Sequence, residues 1–274
     1  MLRSLYSGVS GMRGFQTKLD VIGNNIANVN TIGFKGSRAM FKDILSQTVA
    51  GVTAPADGGG GINAKQIGLG VTLAAIDTLH TPGSAMTTNV VTDVRIDGDG
   101  FFAVRNGEDG GIFLTRDGNF KVDAAGQIVT ADGYRVVGVG GEVLPPIDTA
   151  AVTAFSIDQN GQFIGVNVDG TSAPIDGMQI AVVKVTNPAG LEKVGGNMYR
   201  TTPNASAEEL NLDTVANDPA IGTGAIISGQ LEMSNVDLTG EFTEMIVAQR
   251  GFQANSKIIT TSDEVLQEIL SLKR

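Results

Sequence analysis

Residues 238–272 read LTGEFTEMIVAQRGFQANSKIITTSDEVLQEILSL, and the apolar spacing in this stretch decides the fold. Leu238, Met245, Phe252, Ile259 and Leu266 stand seven apart, with Phe242, Ile246, Ile269 and Leu270 beside them. Such a repeat predicts one long helix, from about Asp237 to Leu272, laid against another helix. The other heptad stripe carries Gln249, Ser256 and Asp263, so the seam is narrow and partly polar. At 1.5 Å per residue the helix would be roughly 54 Å long, more than one small core can cover.

The opposite end of the chain mirrors this pattern. Leu5, Met12, Leu19 and Ile26 are again seven apart, with Leu2, Val9, Ile22 and Val29 in the neighbouring stripe. The run closes in Asn24-Asn25-Ile26-Ala27-Asn28-Val29-Asn30-Thr31-Ile32-Gly33, whose Asn and Gly tolerate the left-handed backbone of a helix C-cap. Gly8, Gly11 and Gly14 cost this helix about 1 kcal/mol each relative to Ala. They are therefore expected to serve close backbone approach, with order completed by assembly. Residues 1–38 are basic (Arg3, Arg13, Lys18, Lys35 and Arg38 against Asp20), and the last helix is mainly acidic. Opposite fields favour pairing of the two ends, by a few tenths of a kcal/mol per exposed pair.

Between the helices, short apolar runs alternate with turn dipeptides. Asp97-Gly98, Asp117-Gly118 and Asp132-Gly133 each stand between such runs and predict hairpins in a mostly antiparallel β region. The 37 glycines fit many tight turns, and without a triplet period they exclude collagen. Gly51 to Asn63 includes Gly58, Gly59, Gly60 and Gly61 and reads as a flexible linker after a short helical piece at Phe41 to Leu45. The expected fold class is α+β. Helical ends (1–35 and 229–274) pair as a coiled-coil-like assembly domain, 36–69 is a linker or extended arm with a short helix, and 70–228 is a β-rich central domain.

Charge and chemistry narrow the function. A net charge of −10 gives no general attraction for nucleic acid or anionic lipid. No apolar stretch approaches a membrane span, and Arg3, Arg13, Gln16, Lys18 and Asp20 interrupt any signal-peptide core. Cysteine is absent, which suits an oxidising exterior without disulfides. His80 is the sole histidine and reads as a surface or turn residue, since no Gly-x-Ser-x-Gly elbow accompanies it. Asp97-Gly98-Asp99-Gly100 and Asp158-Gln159-Asn160-Gly161 lack the third ligand and bidentate Glu of a calcium loop. Gly138-Val139-Gly140-Gly141 lacks dinucleotide spacing, and Asn204-Ala205-Ser206 is a chance-frequency glycosylation triplet. No catalytic, cofactor or metal residues are assigned, and a structural subunit is expected rather than an enzyme or a secreted adhesin.

Several longer stretches resemble the bacterial flagellar rod and hook proteins. They are Ser7-Gly8-Val9-Ser10-Gly11-Met12, the run from Leu19 to Lys35, Gln66 to Val71, Ile96 to Phe102, Leu231 to Leu238, and Ala248 to Lys257. The resemblance implies an extracellular axial subunit of the hook and basal body, carried out by the flagellar type III export apparatus without a cleaved signal. It implies a homopolymer whose terminal helices form an inner tube with β domains outside. Its neighbours would be other axial proteins: rod, hook cap and hook–filament junction. The predicted assembly interface is Leu5, Met12, Leu19, Ile22 and Ile26 on the first helix. On the last helix it is Leu238, Phe242, Met245, Phe252, Ile259, Leu266 and Ile269. Gly60 to Gly70 and Gly251 to Glu264 look most like Gram-positive hook proteins, whereas the length of 274 residues resembles the distal rod protein. Hook is the first expectation and distal rod the alternative.

Overall fold

The computed structural model describes residues 2–55, 60–107, 110–148, 152–167, 170–206 and 210–272. They divide into two compact units. One comprises the described residues of 1–27, 37–78 and 237–274; the other comprises 28–36 and 79–236.

The first unit contains both predicted helices, α1 (Leu2–Ala27) and α2 (Leu238–Leu272). Between them in sequence lie four strands: β1 (Ser37–Asp43), β2 (Ser46–Ala50), β3 (Lys65–Gly68) and β4 (Val71–Thr78). β1 pairs with β4 from Ser37↔Thr78 to Asp43↔Val71, and β2 pairs with β3 from Ser46↔Gly68 to Ala50↔Lys65, both antiparallel. The ribbon continues through a Thr53↔Ile62 bridge, where the two residues exchange backbone bonds of 3.0 and 3.1 Å.

Two expectations change here. Phe41 to Leu45 is not helical: Phe41 lies in β1, opposite Leu73. Five residues cannot repay helix nucleation, and a β partner was available thirty-odd residues downstream. The segment expected as a flexible linker is, where described, the end of the same ribbon, with Gly60 and Gly61 on its return limb beside the Thr53↔Ile62 bridge. Gly58 and Gly59 lie outside the described residues. The 36–69 arm and the start of the central region thus join the helices in one unit, because β1 and β4 pair along their whole length.

The second unit is antiparallel β throughout its named pairs. Its largest sheet runs, edge to edge, through Glu192–Gly195, Met198–Arg200, Ile112–Thr115, Phe101–Arg105, Arg135–Val136, Ile128–Thr130 and Phe120–Val122. Val182–Val183 also pairs with Phe101–Arg105. A three-stranded meander follows at Val152–Ile157, Gln162–Asn167 and Ser172–Gln179. Phe101–Arg105 is buried on both faces: Phe102 packs with Val94, Ile96, Phe120, Ile180 and Ile226, and Phe101 and Ala103 pack with Leu114, all at 2% exposure or less. Each of the larger side chains contributes about 1.5–3 kcal/mol by leaving water.

Of the Asp-Gly signals, Asp132-Gly133 closes a hairpin between Ile128–Thr130 and Arg135–Val136. Asp97-Gly98 and Asp117-Gly118 do not. Val94–Asp97 pairs with Ala225–Ser228, and Phe101–Arg105 pairs with Ile112–Thr115. Ile112–Thr115 lies beside Met198–Arg200, and Phe120–Val122 pairs with Ile128–Thr130. The dipeptides mark reversals faithfully, but core packing selects which strand each limb meets.

A buried ionic cluster locks this unit. Lys35, Arg116 and Glu232 are 0%, 3% and 1% exposed; Lys35 Nζ lies 2.5 Å and Arg116 Nη1 3.3 Å from the Glu232 carboxylate. Lys35 also donates to the Thr81 carbonyl (2.7 Å), Arg116 to that of Gly98 (2.9 Å), and the Gly83 amide to Glu232 (2.9 Å). Burial pulls both cations below their usual pKa, while Glu232 opposes the shift.

Candidate assembly surface

Within the first unit, α1 and α2 run antiparallel. Gly8 meets Ile259, Gly11 meets Asn255, and Phe15 meets Gly251. Farther along, Lys18 pairs with Glu244, and the buried Asn25 donates to Glu241 (2.9 Å). Asn25 also clamps the start of β1, donating to the Ser37 carbonyl (2.8 Å) and accepting from its amide (3.0 Å). Burial pushes the Glu241 carboxyl up, and the Asn25 amide partly offsets this.

Two glycines explain the closeness of the helices. A Cβ on Gly11 would stand 2.9 Å from the Asn255 side chain, and one on Gly251 would stand 2.5 Å from the Phe15 ring. A small residue on each helix therefore receives a larger one from the other. Gly8 and Gly11 offset their propensity cost through this packing, whereas Gly14 packs on Phe41 of β1 and Val71 of β4.

The predicted interface residues separate into two groups. Ile22 is buried at 4%, and Leu5, Met12, Leu19, Ile26, Met245, Ile259 and Leu266 are half-buried. Leu238, Phe242, Phe252 and Ile269 are exposed, Phe242 and Ile269 by about half. Beyond them lies a stripe the sequence reading passed over: Val247, Ile258, Val265 and Leu272 are also exposed. Ile258, Val265 and Leu272 are seven apart, so the signal was present one position ahead of the stripe first followed. This line borders the α1 contact, since Gly251 meets Phe15 and Ile258 comes within 3.8 Å of a Cβ on Gly8, and its apolar side chains stay partly exposed up to Leu272 at 85%.

Length adds to this exposure. α2 has 35 residues and α1 has 26, about 52 and 39 Å. With Gly8 opposite Ile259, α1 ends near Val265, and Leu266–Leu272 runs on for about 10 Å. The β2–β3 ribbon is exposed on both faces and carries Val49, Val52, Ile62 and Ile67 into water.

Nothing comparable forms around the second unit's polar residues. His80 is not a simple surface residue. It packs edge-on to Phe101 and Tyr199, with centroids 5.5 and 5.3 Å away. Burial lowers its pKa to about 4, with Lys35, Arg116 and Lys193 adding to the shift. Asp97 is held by Arg95 at 3.2 Å. Gly138 closes a tight turn onto Glu142, and Asn204 is exposed in a turn. Among the described residues no group of His, Asp or Glu could hold a metal, and no helix is long and apolar enough to cross a membrane.

Residues 5–35 match the family described as flagella basal body rod protein, 95–171 the flagellar hook protein FlgE/F/G D1 domain, and 227–272 the flagellar basal body rod FlgEFG protein C-terminal region. The flagellar basal-body rod protein FlgG of Bacillus subtilis (strain 168) is 55% identical, with both chains covered completely. That of Borreliella burgdorferi is 38% identical over the whole of both chains. The flagellar hook protein FlgE of Treponema pallidum is 29% identical, over an alignment of 472 positions. The chain belongs to the flagellar basal-body rod and hook protein family and is a structural protein of the flagellum's extracellular axial assembly.

Proposed function

We propose that this chain is a distal-rod subunit that polymerises through α1, α2 and the exposed ribbon. The order of the two earlier readings is reversed. Full-length matches to rod proteins stand at 55% and 38% identity, whereas the hook match is weaker and needs many positions that this 274-residue chain lacks. The observation that carries self-assembly is the apolar surface that α2 leaves exposed. With α1 in place, Phe242, Ile246, Val265, Ile269, Leu270 and Leu272 remain exposed along it. Each would contribute about 1.5–3 kcal/mol on full burial, against an association cost of about 4–15 kcal/mol. Several stripes buried per subunit exceed that cost; a single contact does not.

The chain is read as a scaffold and not an enzyme, with its one histidine committed to ring packing. Its partners are then copies of itself, adjoining axial proteins at the polymer ends and the type III export apparatus. Electron microscopy of polymer grown from purified protein tests this reading. Straight, stiff tubes are expected. Curved, compressible tubes would return the assignment to the hook, and a chain that stays monomeric at high concentration would defeat both.

A further inference from the structure

A second feature of the helical unit matches the α2 overhang in chemistry. Where β4 crosses α1, an open groove of about 480 Å³ lies between them, lined by Tyr6, Val9, Arg13, Ile44, Leu69 and Leu73. Val71 N and Ser10 Oγ fix the crossing with a 3.3 Å hydrogen bond. The floor is apolar. Tyr6 is 73% exposed, and Arg13 at the rim makes no ion pair among the described residues.

The last turns of α2 carry the complement. Val265, Ile269 and Leu272 fall on one helical face at i, i+4 and i+7, all exposed. Glu264 and Glu268, four apart, border that face and are also exposed. On the same molecule this end extends past the start of α1, away from the groove beside Gly14 and Thr17. It is therefore free to reach another chain. One cation, Arg13, beside a largely apolar groove fits an apolar helix end flanked by the carboxylates of Glu264 and Glu268, and the charges set orientation more than affinity.

Resting on the self-assembly reading, we propose that the α2 end of one copy, Glu264 to Leu272, seats in the α1–β4 groove of a second copy. Val265 and Ile269 lie on its floor, and Arg13 faces Glu264 and Glu268. This contact would be directional, because groove and helix end are different surfaces. It is a heterologous interface that propagates into a polymer and does not close a dimer.

The absence of cysteine allows a clean test. Tyr6→Cys protein and a size-tagged Ile269→Cys protein are copolymerised and mildly oxidised. A disulfide requires Cα atoms about 4.4–6.8 Å apart. The mixed-size species should appear in polymer and not in dispersed monomer, while Val122→Cys paired with Ile269→Cys gives none. In parallel, Arg13→Glu should raise the critical concentration about tenfold, and adding Glu264→Arg with Glu268→Arg should restore it. Polymer that forms normally without the crosslink, or a charge reversal without rescue, overturns the groove contact and leaves self-assembly standing. Failure of the unmodified chain to polymerise overturns both.

Discussion

In the β unit Phe102, Phe120, Leu114 and Ile226 are buried to 2% exposure or less, whereas in the helical unit Tyr6, Phe242 and Ile269 keep half or more of their surface in water. The two units also place charge differently. Lys35, Arg116 and Glu232 are held inside the β unit, while Lys18 and Glu244 pair at the helical unit's rim. One unit spends its apolar side chains on its own interior. The other leaves a large share of them exposed. On the self-assembly reading, the first kind of burial stabilises the subunit and the second surface joins subunits, so substitutions in the two units should act differently.

The largest effect is expected at the ionic cluster. Glu232→Ala leaves two cations buried without their carboxylate and should cost the β unit about 3–5 kcal/mol. Urea denaturation followed by circular dichroism measures it. A loss below about 1 kcal/mol would show that the cluster is hydrated and contributes little. A smaller loss is expected in the helical unit. Gly251→Leu drives a branched side chain into the Phe15 ring, and overpacking of this kind typically costs about 1–3 kcal/mol. It should reduce the helical signal while leaving the β unit's melting unchanged; a drop in both would mean that the two stabilities are not separable.

The next effect depends on pH. His80 is lowered to about 4 when folded, against 6.5 unfolded, because burial and neighbouring cations disfavour its charged form. Between those values the unfolded chain binds the extra proton, so this group's contribution falls as pH drops from 6.5 to 4 and is constant outside that window. His80→Asn, neutral throughout, should flatten that segment of the Tm-against-pH curve. An unchanged slope would assign the acid sensitivity to other groups. The smallest effect belongs to the rim: removing the Lys18–Glu244 pair by Glu244→Gln should change stability by about 0.2–1 kcal/mol, and less in high salt. A larger loss would mean that the rim behaves like the interior.

What the sequence disclosed follows the range of each signal. α1 and α2 were legible because a heptad is written in consecutive turns, and the Asn and Gly run marked where the first helix stops. The line Ile258, Val265 and Leu272 is equally local, being written seven residues apart, but spacing alone does not tell how far α1 covers it. The β1–β4 ribbon was not legible, since Phe41 finds its partner at Leu73 across a long glycine-rich excursion. Nor was the ionic cluster: Lys35 and Glu232 are separated by 197 positions, and no local pattern predicts that a lysine will be fully buried. The Asp-Gly dipeptides carried half of their message, the reversal without the partner. The rod-over-hook preference came from whole-chain comparison, which short motifs shared by both proteins could not supply.

Hydrogen–deuterium exchange, compared between dispersed and polymerised protein, tests the central claim most directly. The account predicts new protection across residues 2–27 and 238–272 on polymerisation, strongest toward Leu272. Phe101–Arg105 and Val182–Val183, already protected in the free subunit, should change little. Protection gained in the β strands, with α2 exchanging as fast in the polymer as in the free chain, would contradict it.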